Sequence, residues 1–366
     1  MSKTVIVAGA GASLAQAESL RPVKSSRHPP LDGNFFSSAE RLARRDAEIR
    51  QYVQLLTRSV GSSDQFYDPF QFHEISLEQF FADVYYEVVA ARTEVAFAVY
   101  LQLLHMYNTV LSTTTNWMAE HARLGDLDRL LRLELKRTPD VTIVTFNQDL
   151  VLENIIQRLP RHQGQWCLSS LYGIDDLQAL FAPSGPTFTH HNPNCPHTPP
   201  VKLLKLHGSL NWGFRSLKAE PTVRSLFPTG KKELFVHNSR ASHDSTKMKT
   251  RTPRGRKTWY LWPLVIPPIY DKSKISAMPV LKKVWNDARA AIESADRLVL
   301  VGYSLPDADV FARQMLRMAF TSNQTLDAVE CINPDPALAG KLKAKLDCRV
   351  FRLYHDVPTY IEHNQP

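Results

Sequence analysis

The chain has 366 residues, 43% hydrophobic and 22% charged, enough at about 150 residues per domain for roughly two domains and a large core. Lys+Arg 44 against Asp+Glu 36 gives a formal net charge of +8, a composition that excludes a disordered chain, a collagen-like repeat and a disulfide miniprotein. Cys167, Cys195, Cys331 and Cys348 are too few and too scattered for a disulfide framework or a CxxC…CxxC zinc ribbon, which points to a reducing cytoplasm, and no unbroken run of 18 apolar residues announces a membrane span.

The chain opens on a β-branched run over 4–8 that ends in Gly9-Ala-Gly-Ala-Ser13. Lys3, the apolar run 5–14 and Ala15-Gln16-Ala17 imitate a secretory signal with an A-x-A cleavage site. Gly9 and Gly11 interrupt that run and a single basic residue precedes it, so the expectation is a buried strand and a tight turn that stay in the protein. Pro22, Pro29 and Pro30 then break any continuous helix.

From 36 to 137 the spacing predicts an all-α module. Ser37-x-x-Glu40 reads as a capping box opening one helix, with Leu42, Ile49, Val53, Leu56 and Val60 at helical intervals. Ser76-x-x-Gln79 opens a second, carrying Leu77, Phe80, Phe81, Val84 and Val88, and an apolar third covers about 94–121.

Strand character returns at 141–146, 201–206, 297–301, 328–332 and 349–353, with one helix over 279–294 before the 297 strand, another over 308–320 after it and a third over 337–346 between the last two. Strands alternating with helices predict an α/β fold with a Rossmann-like doubly wound parallel sheet, formed by 1–35 and 138–366 and interrupted by the helical module. Between about 213 and 262 apolar residues lose their regular spacing, and 240–257 holds seven Lys/Arg against one Asp. That stretch reads as a basic, loop-like insertion: a solvated loop, or a site for a polyanion or an acidic partner.

Chemistry concentrates at the predicted strand ends. Gly9-x-Gly11 after a strand allows close backbone approach to a pyrophosphate at a helix N-terminus, and Ser13 adds a hydroxyl that bonds phosphate or caps the helix. Leu14 stands where GxGxxG has its third glycine. Thr145-Phe-Asn-Gln-Asp149, Lys205-Leu-His-Gly-Ser-Leu-Asn-Trp212, Gly302-Tyr-Ser-Leu-Pro-Asp-Ala-Asp309 and Ile332-Asn-Pro-Asp335 are four further ends rich in polar side chains. Each alone has a structural explanation: Asn147 as a turn, His207 as a core histidine, Asp307 and Asp309 as helix caps. Together they mark the edge where doubly wound sheets bind ligands.

In order and spacing these segments resemble the sirtuin family, specifically its bacterial NAD-hydrolase branch of antiphage defence. The resemblance covers GAGAS at 9–13, TFNQD at 145–149, KLHGSLNW at 205–212, PLVIPP at 263–268, GYSLPDAD at 302–309 and INPD at 332–335. It implies that Gly9, Ala10, Gly11 and Ser13 hold the phosphates of NAD and that Thr145, Gly302, Ser304 and Asn333 contribute to the cofactor site. It implies that Asn147 and Asp149 lie in the nicotinamide–ribose pocket and that His207 is the catalytic histidine. It further implies a cytoplasmic homo-oligomer controlled by a partner such as a HerA-type ATPase or a short Argonaute, depleting NAD in an abortive-infection response.

Departures from the deacylating sirtuins speak against an acyl-lysine groove. Phe146 stands where they carry Gln, their four-cysteine zinc module is absent, and so is the GPDFR signature after GAG-x-S. The cluster His190, His191, Cys195 and His197 lies among Pro193, Pro196 and Pro199, a stiff loop rather than a metal site, so no metal is expected. The alternatives are a deacylase or ADP-ribosyltransferase of sirtuin type, and a non-catalytic NAD or ADP-ribose sensor or nucleic-acid-binding module.

Overall fold

The computed structural model describes residues 2–20, 28–62, 66–72, 75–90, 93–121, 123–159, 168–174, 177–180, 199, 201–216, 234–237, 246–252, 255–267, 278–305, 309–326, 328–346 and 351–365. Six short apolar runs form one parallel sheet: β1 (Lys3–Ala8), β2 (Asp140–Thr145), β3 (Lys202–Lys205), β4 (Arg297–Val301), β5 (Ala328–Ile332) and β6 (Phe351–Tyr354). Their spatial order is β3-β2-β1-β4-β5-β6 and every pairing is parallel. Strand order therefore reverses between β1 and β4, the topological switch point at which open α/β sheets of Rossmann-like kind bind ligands. Val5, Ile6, Val7, Ile143, Val144, Leu298, Val299 and Leu300 are buried, as strands covered on both faces require.

Helices cover the sheet: α1 (Ala10–Ser19) follows β1, and after a separate group, α2 (Phe35–Ala43), α3 (Ala47–Gly61), α4 (Leu77–Ala90) and α5 (Glu94–Thr115), comes α6 (Asp126–Arg137). Then follow α7 (Val151–Gln157), α8 (Leu168–Tyr172), α9 (Pro279–Glu293), α10 (Val310–Ser322), α11 (Ala337–Leu346) and α12 (Val357–Asn364).

Helices α2–α5 enclose a core of their own, built from Phe35, Phe36, Ile49, Phe81, Val84, Tyr100 and Leu103. The run expected to be one helix from Ser37 is two, because Asp46 caps a new start: its Oδ1 accepts from the amides of Glu48 (3.0 Å) and Ile49 (3.1 Å). Helix α6, grouped by sequence with this module, sends Leu127, Leu130, Leu131 and Leu133 into the core of the sheet. Gln16 fastens it to α1, donating to Asp128 Oδ2 at 2.7 Å and accepting from the Leu127 amide at 2.8 Å. The stretch Glu94–Ala119, though broken by polar residues, is long and apolar enough by composition to cross a membrane; in this fold half of its apolar window is buried inside the protein.

The 213–262 stretch is not simply a loop. Strand Gly208–Ser216 leaves the end of β3 and pairs antiparallel with Gly255–Val265, which pairs with Thr246–Thr252 across Thr252↔Gly255. With Leu177–Leu180 and Leu234–His237 these strands make a second, five-stranded sheet. The basic run thus includes a hairpin, and residues 240–245, 253 and 254 lie outside the described residues.

Candidate functional site

Two loops cross at the switch point. Gly9 donates its amide to the Val301 carbonyl and Gly11 to the Gly302 carbonyl, both at 3.0 Å. A Cβ on Gly9 would stand 2.6 Å from Gly302 O, and one on Gly302 would overlap the Ala12 nitrogen; Gly302 also has φ +57. The glycines at 9, 11 and 302 are thus required by backbone meeting backbone. Gly208, with φ +76, turns the chain between the two sheets against the Leu264 carbonyl.

A cavity of about 900 Å³ opens at this edge, roofed by the helical module through Phe35, Leu77, Tyr107 and Leu111. Its volume is in the range of small-molecule and cofactor sites. Gly9, Ala10, Gly11, Ser13, Asn147, Asp149, His207, Gly302, Ser304 and Asn333 all line it, so the fold gathers residues separated by more than three hundred positions. Thr145 does not line it. Its buried hydroxyl donates to the Ala8 carbonyl (3.0 Å) and accepts from the Asn147 amide (3.0 Å), so it positions Asn147 from beneath.

Asn147, Ser13 and Asp149 form one network. Asn147 Nδ2 donates to Gly9 O (2.8 Å) and to Ser13 Oγ (3.0 Å), and Ser13 Oγ donates to Asp149 Oδ2 (2.8 Å). Both amide hydrogens of Asn147 are taken, which turns its carbonyl oxygen into the side chain's remaining acceptor. Asp149 Oδ1 accepts the Val151 amide (3.0 Å) at the start of α7. Ser13 is therefore tied to both Asn147 and Asp149 while it lines the cavity. At the N-terminus of α1, Gly11 N is bonded to Gly302 O and Ala12 N to Gly9 O, which leaves the exposed Ala10 and the helix dipole to face an anion.

His207 is buried, with Nε2 3.8 Å from Asp309 Oδ2. Asp309 also caps α10, accepting the Ala312 amide at 3.4 Å. Phe146 meets the His207 ring edge-on at 5.3 Å and stacks on Tyr303 at 4.6 Å with 10° between planes. Burial, and then the Asp309 charge, push the Tyr303 phenol well above its ordinary pKa. Burial followed by the charges of Asp149 and Asp32 does the same to Tyr107. Both rings stay neutral at any physiological pH.

Beneath the site, Lys205 and Glu153 form a buried ion pair at 2.8 Å. Lys205 Nζ also donates to the Asp149 carbonyl, and Glu153 Oε1 accepts from Tyr172 OH at 2.9 Å. This pair fixes the TFNQD turn. At the far end, Asn333 donates its amide to the Tyr354 carbonyl (2.9 Å) and accepts the Asp335 amide on Oδ1 (2.9 Å). Leu305, next to Ser304, holds φ 52, the only non-glycine in that region among the described residues.

Sequence reasoning missed Gln148, Tyr303 and the lining residues from the helical side, Tyr107, Asp126 and Arg129. Gln148 and Tyr303 stand inside quoted motifs, which was their signal; Arg129 on an amphipathic helix carried none. Among the described residues no group of three or more His, Cys, Asp or Glu side chains comes together to hold a metal, and His190, His191, Cys195 and His197 lie outside the described residues. The chain matches none of the protein-family models and none of the curated proteins compared with it.

Proposed function

We propose that this protein hydrolyses NAD at the nicotinamide–ribose bond, releasing nicotinamide and ADP-ribose. The observation that carries the reading is a single cavity at the switch point, lined together by Gly9–Gly11, Asn147, Asp149, His207, Ser304 and Asn333. Its extent suits a dinucleotide lying across the crossing of the two glycine loops, with the pyrophosphate at the α1 N-terminus.

Nicotinamide departs as a neutral molecule from a cationic ring, so the bond breaks without a general acid. The barrier lies in the oxocarbenium-like ribosyl centre, as in glycoside cleavage. Asp149, a buried carboxylate, stabilises that developing positive charge. The Asn147 carbonyl orients a ribose hydroxyl or the attacking water. His207 accepts the proton as the new C–O bond forms, with Asp309 holding the imidazolium. The water's oxygen and its second proton stay on the ribose as the new hydroxyl, and the proton taken by His207 passes to solvent.

The same resemblance supports a role in depleting cellular NAD during antiphage defence, as an oligomer released from restraint by a partner protein. The assay is NAD consumption by the purified protein, by Asn147→Ala and by His207→Ala, alone and with candidate partners. The reading requires the wild type to release nicotinamide and both variants to lose at least about a hundredfold in rate. Full activity in both variants removes it. Label from NAD appearing on protein instead of in free ADP-ribose favours a transferase.

A further inference from the structure

The five-stranded sheet carries a charge pattern that the switch-point cavity does not use. Its strands run in the order Leu177–Leu180, Leu234–His237, Gly208–Ser216, Gly255–Val265, Thr246–Thr252. The basic strand Thr246–Thr252 therefore stands at one edge, with Gly255–Val265 as its neighbour among the described residues.

Register sorts the residues of this ribbon. Successive residues of a strand alternate between the two faces, and residues opposite each other in an antiparallel pair share a face. The pairs Lys247↔Tyr260, Lys249↔Thr258 and Arg251↔Arg256 thus belong to one face. Thr246↔Leu261, Met248↔Trp259 and Thr250↔Lys257 belong to the other. One face collects four cations and a tyrosine; the other collects Met248, Trp259 and Leu261 with a single lysine.

Arg251 and Arg256 are opposed in the ladder, one pair away from the turn. Like charges placed opposite each other destabilise a strand pair. No strand of this sheet contains an aspartate or glutamate, and residues 246–261 hold six Lys or Arg and no acid. The sheet's own strands supply no countercharge, so an external polyanion is the group that relieves the repulsion.

Spacing narrows the polyanion. Lys247 and Arg251 are four residues apart, which is about 13–14 Å along an antiparallel strand. The major groove of B-DNA is about 12 Å wide and admits a two-stranded β-ribbon. Tyr260 is the one aromatic residue on the cationic face, whereas single strands are held by a series of stacking rings.

We propose that the ribbon Thr246–Thr252 with Gly255–Val265 is a binding surface for duplex DNA, with Lys247, Lys249, Arg251 and Arg256 meeting the phosphates that flank the major groove. The inference is independent of the NAD reading and neither stands nor falls with it. Contacts of this kind are to the backbone, so they give affinity and salt dependence rather than base specificity.

The test is fluorescence anisotropy of the full chain with a labelled DNA duplex of about 20 base pairs over a salt series. Four phosphate contacts predict that log K falls against log salt with a slope of about −3 to −4. Lys249→Gln and Arg251→Gln are each expected to make the slope shallower by about 1. Lys257→Gln removes the same charge from the opposite face and is expected to leave the slope unchanged. Circular dichroism checks each variant, and Arg256→Gln takes the place of Arg251→Gln where the latter does not fold. Absence of duplex binding at low salt overturns the proposal, as does an equal change of slope in Arg251→Gln and Lys257→Gln. Single-stranded DNA or polyglutamate bound as tightly as the duplex also overturns it, since the fit to the groove would then play no part.

Discussion

Asn147 Nδ2 donates to Ser13 Oγ at 3.0 Å across 134 positions of sequence. This one bond joins the glycine turn after β1 to the polar turn after β2, and Ser13 carries it on to Asp149. The phosphate end and the bond-breaking end of the proposed site thus share a hydrogen-bond network.

The backbone crossing makes Gly302 intolerant of any side chain. Gly302→Ala combines a left-handed φ with an overlap at Ala12, and is expected to cost about 2–4 kcal/mol in urea or guanidinium unfolding. Gly340, inside α11 with nothing within 4 Å of an added Cβ, is the contrast: Gly340→Ala should gain about 0.5–1 kcal/mol. Equal effects at the two positions would contradict the crossing.

The buried Lys205–Glu153 pair supports the TFNQD turn from below. Lys205→Met leaves Glu153 uncompensated and is expected to destabilise by about 3–5 kcal/mol. Lys205→Met combined with Glu153→Gln should recover most of that loss, since the neutral amide keeps an oxygen for Tyr172. A double variant as unstable as the single one would show that the charge is not what matters.

Much of this arrangement was legible in sequence because buried parallel strands are continuous apolar runs ending in glycine or polar residues. Arg297–Val301 stopping at Gly302 is the plainest case. The hairpin over Thr246–Thr252 was not legible in the same way: Thr and Met alternate there with Lys and Arg, a period-two signal without the apolar face that marks a core strand. Asp46 was passed over as a helix start because Leu42 and Ile49 keep helical spacing across the break. Helix α6 has the same periodicity whether it packs on helices or on a sheet, so its allegiance could not be read from leucines alone. The Phe146–Tyr303 stack joins residues 157 apart and depends on strand order, which periodicity does not encode.

Asp287 on α9 accepts from Lys202 Nζ and Lys283 Nζ, both at 2.9 Å. Burial alone would raise its pKa, but the hydrogen bonds and charges of Lys283 and Lys202 outweigh it and hold the carboxyl below its ordinary value. A folded-state pKa below the unfolded one means that the folded protein binds fewer protons. The stability this group contributes is present above the unfolded pKa of about 3.9 and is lost as pH falls through the folded value. Asp287→Asn should therefore flatten the decline in unfolding midpoint below about pH 5, with little change in slope near neutrality. An unchanged acid slope would count against the pairing.

Chromatographic product analysis of NAD incubated with the purified wild-type protein, with and without a candidate activating partner, tests the proposed activity most directly. Hydrolysis at the nicotinamide–ribose bond predicts nicotinamide and free ADP-ribose in equal amounts, with both products lost together in Asn147→Ala. Intact NAD under every condition, or nicotinamide released without matching free ADP-ribose, would contradict it.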